Sequence, residues 1–84
     1  LIEIYTKNGC PYCVLAKDWL LANNYSYKEY LLDDMNDRTS FYDKFNIKSR
    51  TVPQIFNNNI LIGGYSDLIA SELAIQLRFN NGDF

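Results

Sequence analysis

The sequence has no histidine, and only two cysteines and two prolines in 84 residues. Without histidine, two cysteines cannot by themselves complete a zinc site, which usually takes four Cys or His ligands. Covalent haem attachment is excluded as well. It needs a histidine directly after a C-x-x-C pair, and Val14 stands there instead. A disulfide framework is also missing, because closing one very short loop removes little unfolded-state entropy. Charge of one sign is scarce: 8 basic against 10 acidic residues leave a net −2, which gives neither a nucleic-acid footprint nor a polybasic membrane patch. No apolar run approaches the roughly 20 residues of a membrane span. No secretory leader is legible, and the first residue is Leu1 rather than Met, so the native start is expected to be missing or trimmed.

What is present fits one small domain, residues 1–84, with a single fold. A hydrophobic fraction of 48% argues against disorder, and 15% aromatic residues help so short a chain bury enough area. Two cysteines in a reactive spacing indicate a reducing compartment, with the cytoplasm as the default expectation.

Along the chain, Leu1–Thr6 reads as a buried strand. Pro11 to about Ala22 is helical, with Val14, Leu15, Ala16, Trp19, Leu20 and Leu21 as its apolar stripe and Lys17 and Asp18 on the wet side. Asn23 and Asn24 end it, because Asn tolerates the left-handed conformation. Tyr25–Leu32 is a second strand near the sheet edge, and the acids of 33–37 cap a helix running from about Asp37 to Phe45, with Phe41, Tyr42 and Phe45 facing the sheet and Arg38 and Lys44 exposed. Thr51–Phe56 and Ile60–Ile62 form a hairpin around Asn57-Asn58-Asn59. Tyr65 to about Phe79 is a last helix, with Leu68, Ile69, Leu73, Ile75, Leu77 and Phe79 as its apolar contacts, followed by a polar tail. The order βαβαββα predicts an α/β fold: a four-stranded mixed sheet flanked by three helices, its first two strands parallel through a right-handed crossover.

Chemistry concentrates at Asn8-Gly9-Cys10-Pro11-Tyr12-Cys13, where the first strand gives way to the first helix. The first N–H groups of a helix lack internal partners and carry partial positive charge. A thiolate at Cys10 faces them, so its pKa is expected to fall toward about 3.5–7.5. Pro11 suits the first helical position, and Lys7 adds a nearby cation. Cys13, inside the helix, gains less. The asymmetry makes Cys10 the attacking sulfur and Cys13 the resolving one.

Two further motifs read ambiguously alone. Val52-Pro53 opens a strand, where a cis bond would turn the Val52 main chain toward an extended ligand; on these residues alone the ordinary trans edge proline is the better reading, since only about 5–6% of X–Pro bonds are cis. Gly63-Gly64-Tyr65-Ser66-Asp67 permits close backbone approach at a helix start and offers Asp67 to an ammonium group. The plainer alternative is Ser66 or Asp67 as a helix cap.

Together, Cys10-Pro11-Tyr12-Cys13, Thr51-Val52-Pro53 and Gly63-Gly64-Tyr65-Ser66-Asp67 resemble the dithiol glutaredoxins in order and spacing over nearly the whole chain. The resemblance implies a thioredoxin-like fold, a cis Pro53, and glutathione as co-substrate with no metal. It places the glutathione cysteine at Cys10, the Val52 backbone along the tripeptide, and the γ-glutamyl end at Ser66 and Asp67 beside Gly64. Lys7 approaches the glycyl carboxylate, Tyr12 lines the groove, and Thr51 shapes the loop; Arg50 is a weaker match near the anionic ligand. Expected partners are disulfide-containing or glutathionylated proteins, a ribonucleotide reductase among them, and the chain itself is expected to be a monomer. Three rivals remain: a donor reduced by a flavoenzyme, a carrier of an iron–sulfur cluster shared through Cys10 and glutathione, and an idle binding module.

Overall fold

Strand β1 (Ile2–Thr6) runs through the middle of the sheet, and its alternation shows why. Ile2, Ile4 and Thr6 point to one face and are buried, while Glu3 and Tyr5 point to the other and are half-buried. The computed structural model describes residues 1–71. Around β1 lie α1 (Pro11–Ala22), β2 (Tyr27–Leu31), α2 (Met35–Lys44), β3 (Gln54–Asn57), β4 (Ile60–Gly63) and α3 (Tyr65–Ile69). The sheet order is β2-β1-β3-β4, with β1 parallel to β2 and antiparallel to β3, and β3 antiparallel to β4. This is the mixed four-stranded sheet with three helices expected of a thioredoxin-like fold. No helix among the described residues is long and apolar enough to cross a membrane.

Each sheet face carries its own core. Ile2, Ile4 and Ile55 pack under α1 and α3 with Ala16, Leu20 and Leu68. On the opposite face Phe41, Tyr42, Ile47 and Phe56 pack with Tyr5, whose ring stacks on Tyr30 and Phe41 at centroid distances of 4.7 and 4.2 Å. Phe45 joins these rings, 5.1 Å from Phe56, although it caps α2 and is 40% exposed.

Several local expectations change. The buried face of α1 is Cys13, Ala16 and Leu20, whereas Val14, Leu15 and Leu21 are exposed. Small residues let this helix approach the sheet closely, so the bulky apolar positions do not set its phase. Lys17 is not on the wet side: it is half-buried and pairs with Glu29 of β2 at 2.9 Å. Helix α2 starts at Met35 because Asp34 caps it, accepting the Asn36 N–H at 2.8 Å. Arg38 is half-buried, held by carbonyl oxygens of the preceding loop. Pairing in β3 begins only at Gln54, since Pro53 has no N–H and the Thr51 N–H turns back to Ser49 at 2.8 Å.

The asparagine turns hold. Asn24 closes the α1 end at φ 65°, and Asn58 and Asn59 make a two-residue hairpin turn at φ 50° and 67°. Helix α3 is closed at Ala70, where the Ser71 N–H and hydroxyl both donate to the Leu68 carbonyl, rather than running unbroken from Tyr65. Leu73, Ile75, Leu77, Phe79 and the tail lie outside the described residues.

Candidate active site

The carboxyl end of β1 and the start of α1 place the two cysteines. Cys10 is the N-cap of α1 with an extended backbone (φ −112°, ψ 100°), and Pro11 is the first helical residue. From that position Cys10 Sγ accepts the Cys13 N–H at 3.1 Å. Cys10 and Cys13 are joined as a disulfide with Cα atoms 5.2 Å apart, so the structure shows the oxidised form. Exposure separates the two sulfurs: Cys10 retains 8% and Cys13 only 1%. On reduction, the N–H aimed at Cys10 Sγ stabilises a thiolate there, and the helix start adds its partial positive charge. Cys13, enclosed at the third helical position, offers an incoming disulfide almost no access.

Beside the sulfurs lies a groove of about 280 Å³ lined by Tyr12, Thr51, Val52, Pro53, Gly64, Tyr65, Ser66 and Asp67. All three sequence motifs therefore meet in one place. Cys10 Sγ is 3.6 Å from the Val52 carbonyl oxygen, and the Val52–Pro53 bond is cis. Tyr12 also lines the groove and meets Tyr65 at a centroid distance of 6.1 Å. At the far end, Asp67 Oδ2 accepts the Gly64 N–H at 3.0 Å, so Asp67 does cap α3. The cap occupies one carboxylate oxygen, and the exposed side chain still lines the groove.

Two residues fall elsewhere. Lys7 is exposed on the loop before Cys10 and does not line the groove. Arg50 reaches back to Asp43 at 2.6 Å and lies over the Tyr42 ring, away from the groove lining.

Sequence reasoning missed the residues that hold the Thr51-Val52-Pro53 loop. Tyr42 Oη donates to the Thr51 carbonyl at 2.8 Å, and Gln54 Nε2 donates to the same oxygen at 3.0 Å and to Ser49 at 3.1 Å. Burial pushes the Tyr42 phenol above its ordinary pKa, with Arg38 and Arg50 opposing, which keeps it a donor. Gln54 had a signal in its place between a proline and the apolar Ile55-Phe56 of a strand; buried there at 3% exposure, it needs partners inside. Gly63 was underweighted as well. Its φ is +122°, and a Cβ built there would stand 2.8 Å from Asp67 Cγ, whereas one at Gly64 would make only an ordinary 3.6 Å contact with the Pro53 oxygen.

Comparison with known proteins settles the family. The glutaredoxin family model matches residues 2–62, the stretch that contains the cysteine pair and the Val52-Pro53 loop. The chain belongs to the glutaredoxin family. It is 41% identical over 73 residues to glutaredoxin 1 of Rickettsia prowazekii, covering 84% of this chain and 76% of that protein. Against glutaredoxin 3 of Escherichia coli the identity is 41% over 69 residues, 82% of each protein. The crystal structure of glutaredoxin 1 from Francisella tularensis superposes with a TM-score of 0.79 at 43% identity, covering 89% of this chain and 94% of that one. Glutaredoxins are thiol-disulfide oxidoreductases, and the Cys10–Cys13 pair is a dithiol suited to this chemistry.

Proposed function

We propose that this glutaredoxin reduces glutathione mixed disulfides and protein disulfides through Cys10, with glutathione as co-substrate bound in the groove beside it. The observation that carries the reading is the joint placement of Cys10 Sγ: 3.1 Å from a helix N–H and 3.6 Å from the Val52 main chain that borders the groove. The groove fits a tripeptide with a zwitterionic end. The Val52 backbone offers main-chain pairing, Pro53 and Tyr12 supply apolar walls, and the first N–H groups of α3 lack intrahelical partners. In this reading the γ-glutamyl carboxylate meets the main chain at Ser66 and Asp67, with Gly64 allowing close approach. Asp67 takes the ammonium group through the oxygen its cap leaves over, Thr51 holds the Val52 turn, and Lys7 approaches the glycyl carboxylate from the loop.

The Cys10 thiolate attacks the glutathione sulfur of a glutathionylated protein, forming one S–S bond as the other breaks; the protein thiolate leaves and is protonated by solvent. Cys10 is then released by a second glutathione thiolate, which forms glutathione disulfide and returns the electron pair to Cys10. With a protein disulfide, Cys10 forms the mixed disulfide and Cys13 displaces the substrate sulfur, leaving the Cys10–Cys13 bond seen here. The natural targets in this reading are glutathionylated and disulfide-bonded proteins of a reducing compartment such as the cytoplasm, a ribonucleotide reductase among them, and the enzyme acts as a monomer.

The test is glutathione-dependent reduction of a small mixed disulfide by wild type, Cys10→Ser and Cys13→Ser. Activity is expected to vanish in the first variant and largely persist in the second. A wild type inert with glutathione but reduced by a flavoenzyme would overturn the glutathione reading.

A further inference from the structure

The loop that delivers Cys10 to α1 has little packing to fix it. Lys7, Asn8 and Gly9 are all exposed, and a Cβ added at Gly9 would meet nothing within 4 Å. Its place is set by hydrogen bonds from the neighbouring loop. Where β1 and β2 end side by side, the Leu32 N–H donates to the Thr6 carbonyl at 2.7 Å and prolongs the parallel pairing. Asp33 comes next and engages Asn8 with both carboxylate oxygens: Oδ1 accepts the Asn8 main-chain N–H at 2.7 Å, and Oδ2 accepts Asn8 Nδ2 at 2.6 Å. From α2, Arg38 Nη1 donates to the Leu32 and Asp33 carbonyl oxygens, each at 2.8 Å, and holds the Asp33 backbone from behind. Beyond Asn8 the chain turns through Gly9 at φ +70° and reaches Cys10.

We propose that Asp33 is a positioning residue for Cys10: by clamping Asn8 it fixes the turn through Gly9, and so the place of Cys10 Sγ against the Cys13 N–H. The proposal rests on the reading of Cys10 as the attacking thiolate. A two-point hydrogen bond to a carboxylate is short and directional, which suits it to hold an exposed loop in one geometry. Sub-ångström placement matters at the far end, because an S···H–N contact weakens steeply with distance and angle.

The sign of the effect on Cys10 separates positioning from mere charge. As a nearby anion, Asp33 disfavours the Cys10 thiolate, so removing its charge alone would lower the Cys10 pKa. As a clamp it favours the thiolate by holding the sulfur on the N–H, so removing it raises that pKa. Asp33→Ala abolishes both roles. Asp33→Asn loses the charge but keeps the clamp, since an amide at position 33 can accept the Asn8 N–H and, with the Asn8 amide turned over, donate to its oxygen. Lys7 and Arg38, the cations flanking the clamp, stay in both variants.

The experiment measures the Cys10 pKa of the reduced protein from the pH dependence of alkylation, beside kcat for mixed-disulfide reduction and Tm. Asp33→Ala is expected to raise the Cys10 pKa by about one unit and lower kcat about 10-fold. Asp33→Asn should return the pKa to the wild-type value or below and restore most of kcat. Equal shifts in the two variants, or an unchanged or lowered pKa in Asp33→Ala, would overturn the proposal, as would a loss of Tm alone. Alkylation needs no glutathione, so failure of the glutathione reading would leave this pKa comparison intact.

Discussion

Gly63 is a residue whose replacement should disturb one end of the groove. Its φ of +122° is one that L side chains rarely adopt, and a methyl group there would run into the Asp67 carboxylate. Gly63→Ala is therefore expected to displace Asp67 from the groove end and to cost about 1–3 kcal/mol in strain. Glutathione KM should rise while the Cys10 alkylation rate stays near wild type, and Tm should fall by about 4–8 °C per kcal/mol. Gly64→Ala, with room for its Cβ, should be milder in both readouts. At this scale the sequence showed that a glycine pair sits beside Ser66 and Asp67, but not which glycine is indispensable. That depends on the register of the β3–β4 hairpin, which shifts between Ile55 and Phe56 and is not encoded in residue type. Cys10, by contrast, was legible, because a proline directly after it fixes where the helix begins and hence which sulfur caps it.

Between elements, one carboxylate ties α1 to the edge strand β2 and to β1. Glu29 Oε2 accepts the Thr6 hydroxyl at 2.6 Å and Lys17 Nζ at 2.9 Å, and Thr6 is buried at 1% exposure. The Thr6 hydrogen bond is the main cause that holds the Glu29 carboxyl below its ordinary value of 4.5; Lys17 adds to it and burial opposes both. A depressed folded-state pKa means the stabilisation is fully present above the unfolded value and is lost as pH falls through the folded one. Acid unfolding of wild type should therefore steepen below about pH 4.5, the ordinary value given above. Glu29→Gln should be less stable at pH 7 and show a flatter stability profile over that acid range, measured by urea unfolding at a series of pH values. Sequence pattern placed Lys17 in water because bulky Val14, Leu15 and Leu21 dominated the helical stripe. Phase is set instead by Cys13, Ala16 and Leu20, which are small enough or central enough to meet the sheet. Periodicity alone does not weigh that.

For the molecule as a whole, the two cores share the sheet between them. Ile55 belongs to the α1–α3 side and Phe56 to the α2 side, so consecutive residues of β3 tie both cores to the loop carrying Val52 and Pro53. The order βαβαββα was readable from hydrophobic pattern and turn residues, and the right-handed crossover made β1 and β2 parallel. Placing β3 beside β1 needed the structure, since nothing local in the sequence pairs Ile4 with Ile55. A shared sheet predicts one cooperative unit. Trp19, the single tryptophan, packs near Tyr25 against the α1–α3 core and reports on that side alone. Phe56→Ala removes a ring from the opposite core and should cost about 3–5 kcal/mol. If the sheet couples the cores, Trp19 fluorescence and far-UV circular dichroism will follow the same urea transition in wild type, and both will shift together in Phe56→Ala. A Trp19 transition left behind while the dichroism shifts would mean that the α2 face unfolds separately. The loop bearing Val52 would then be held from one side only, because Tyr42 and its bond to the Thr51 carbonyl belong to that face.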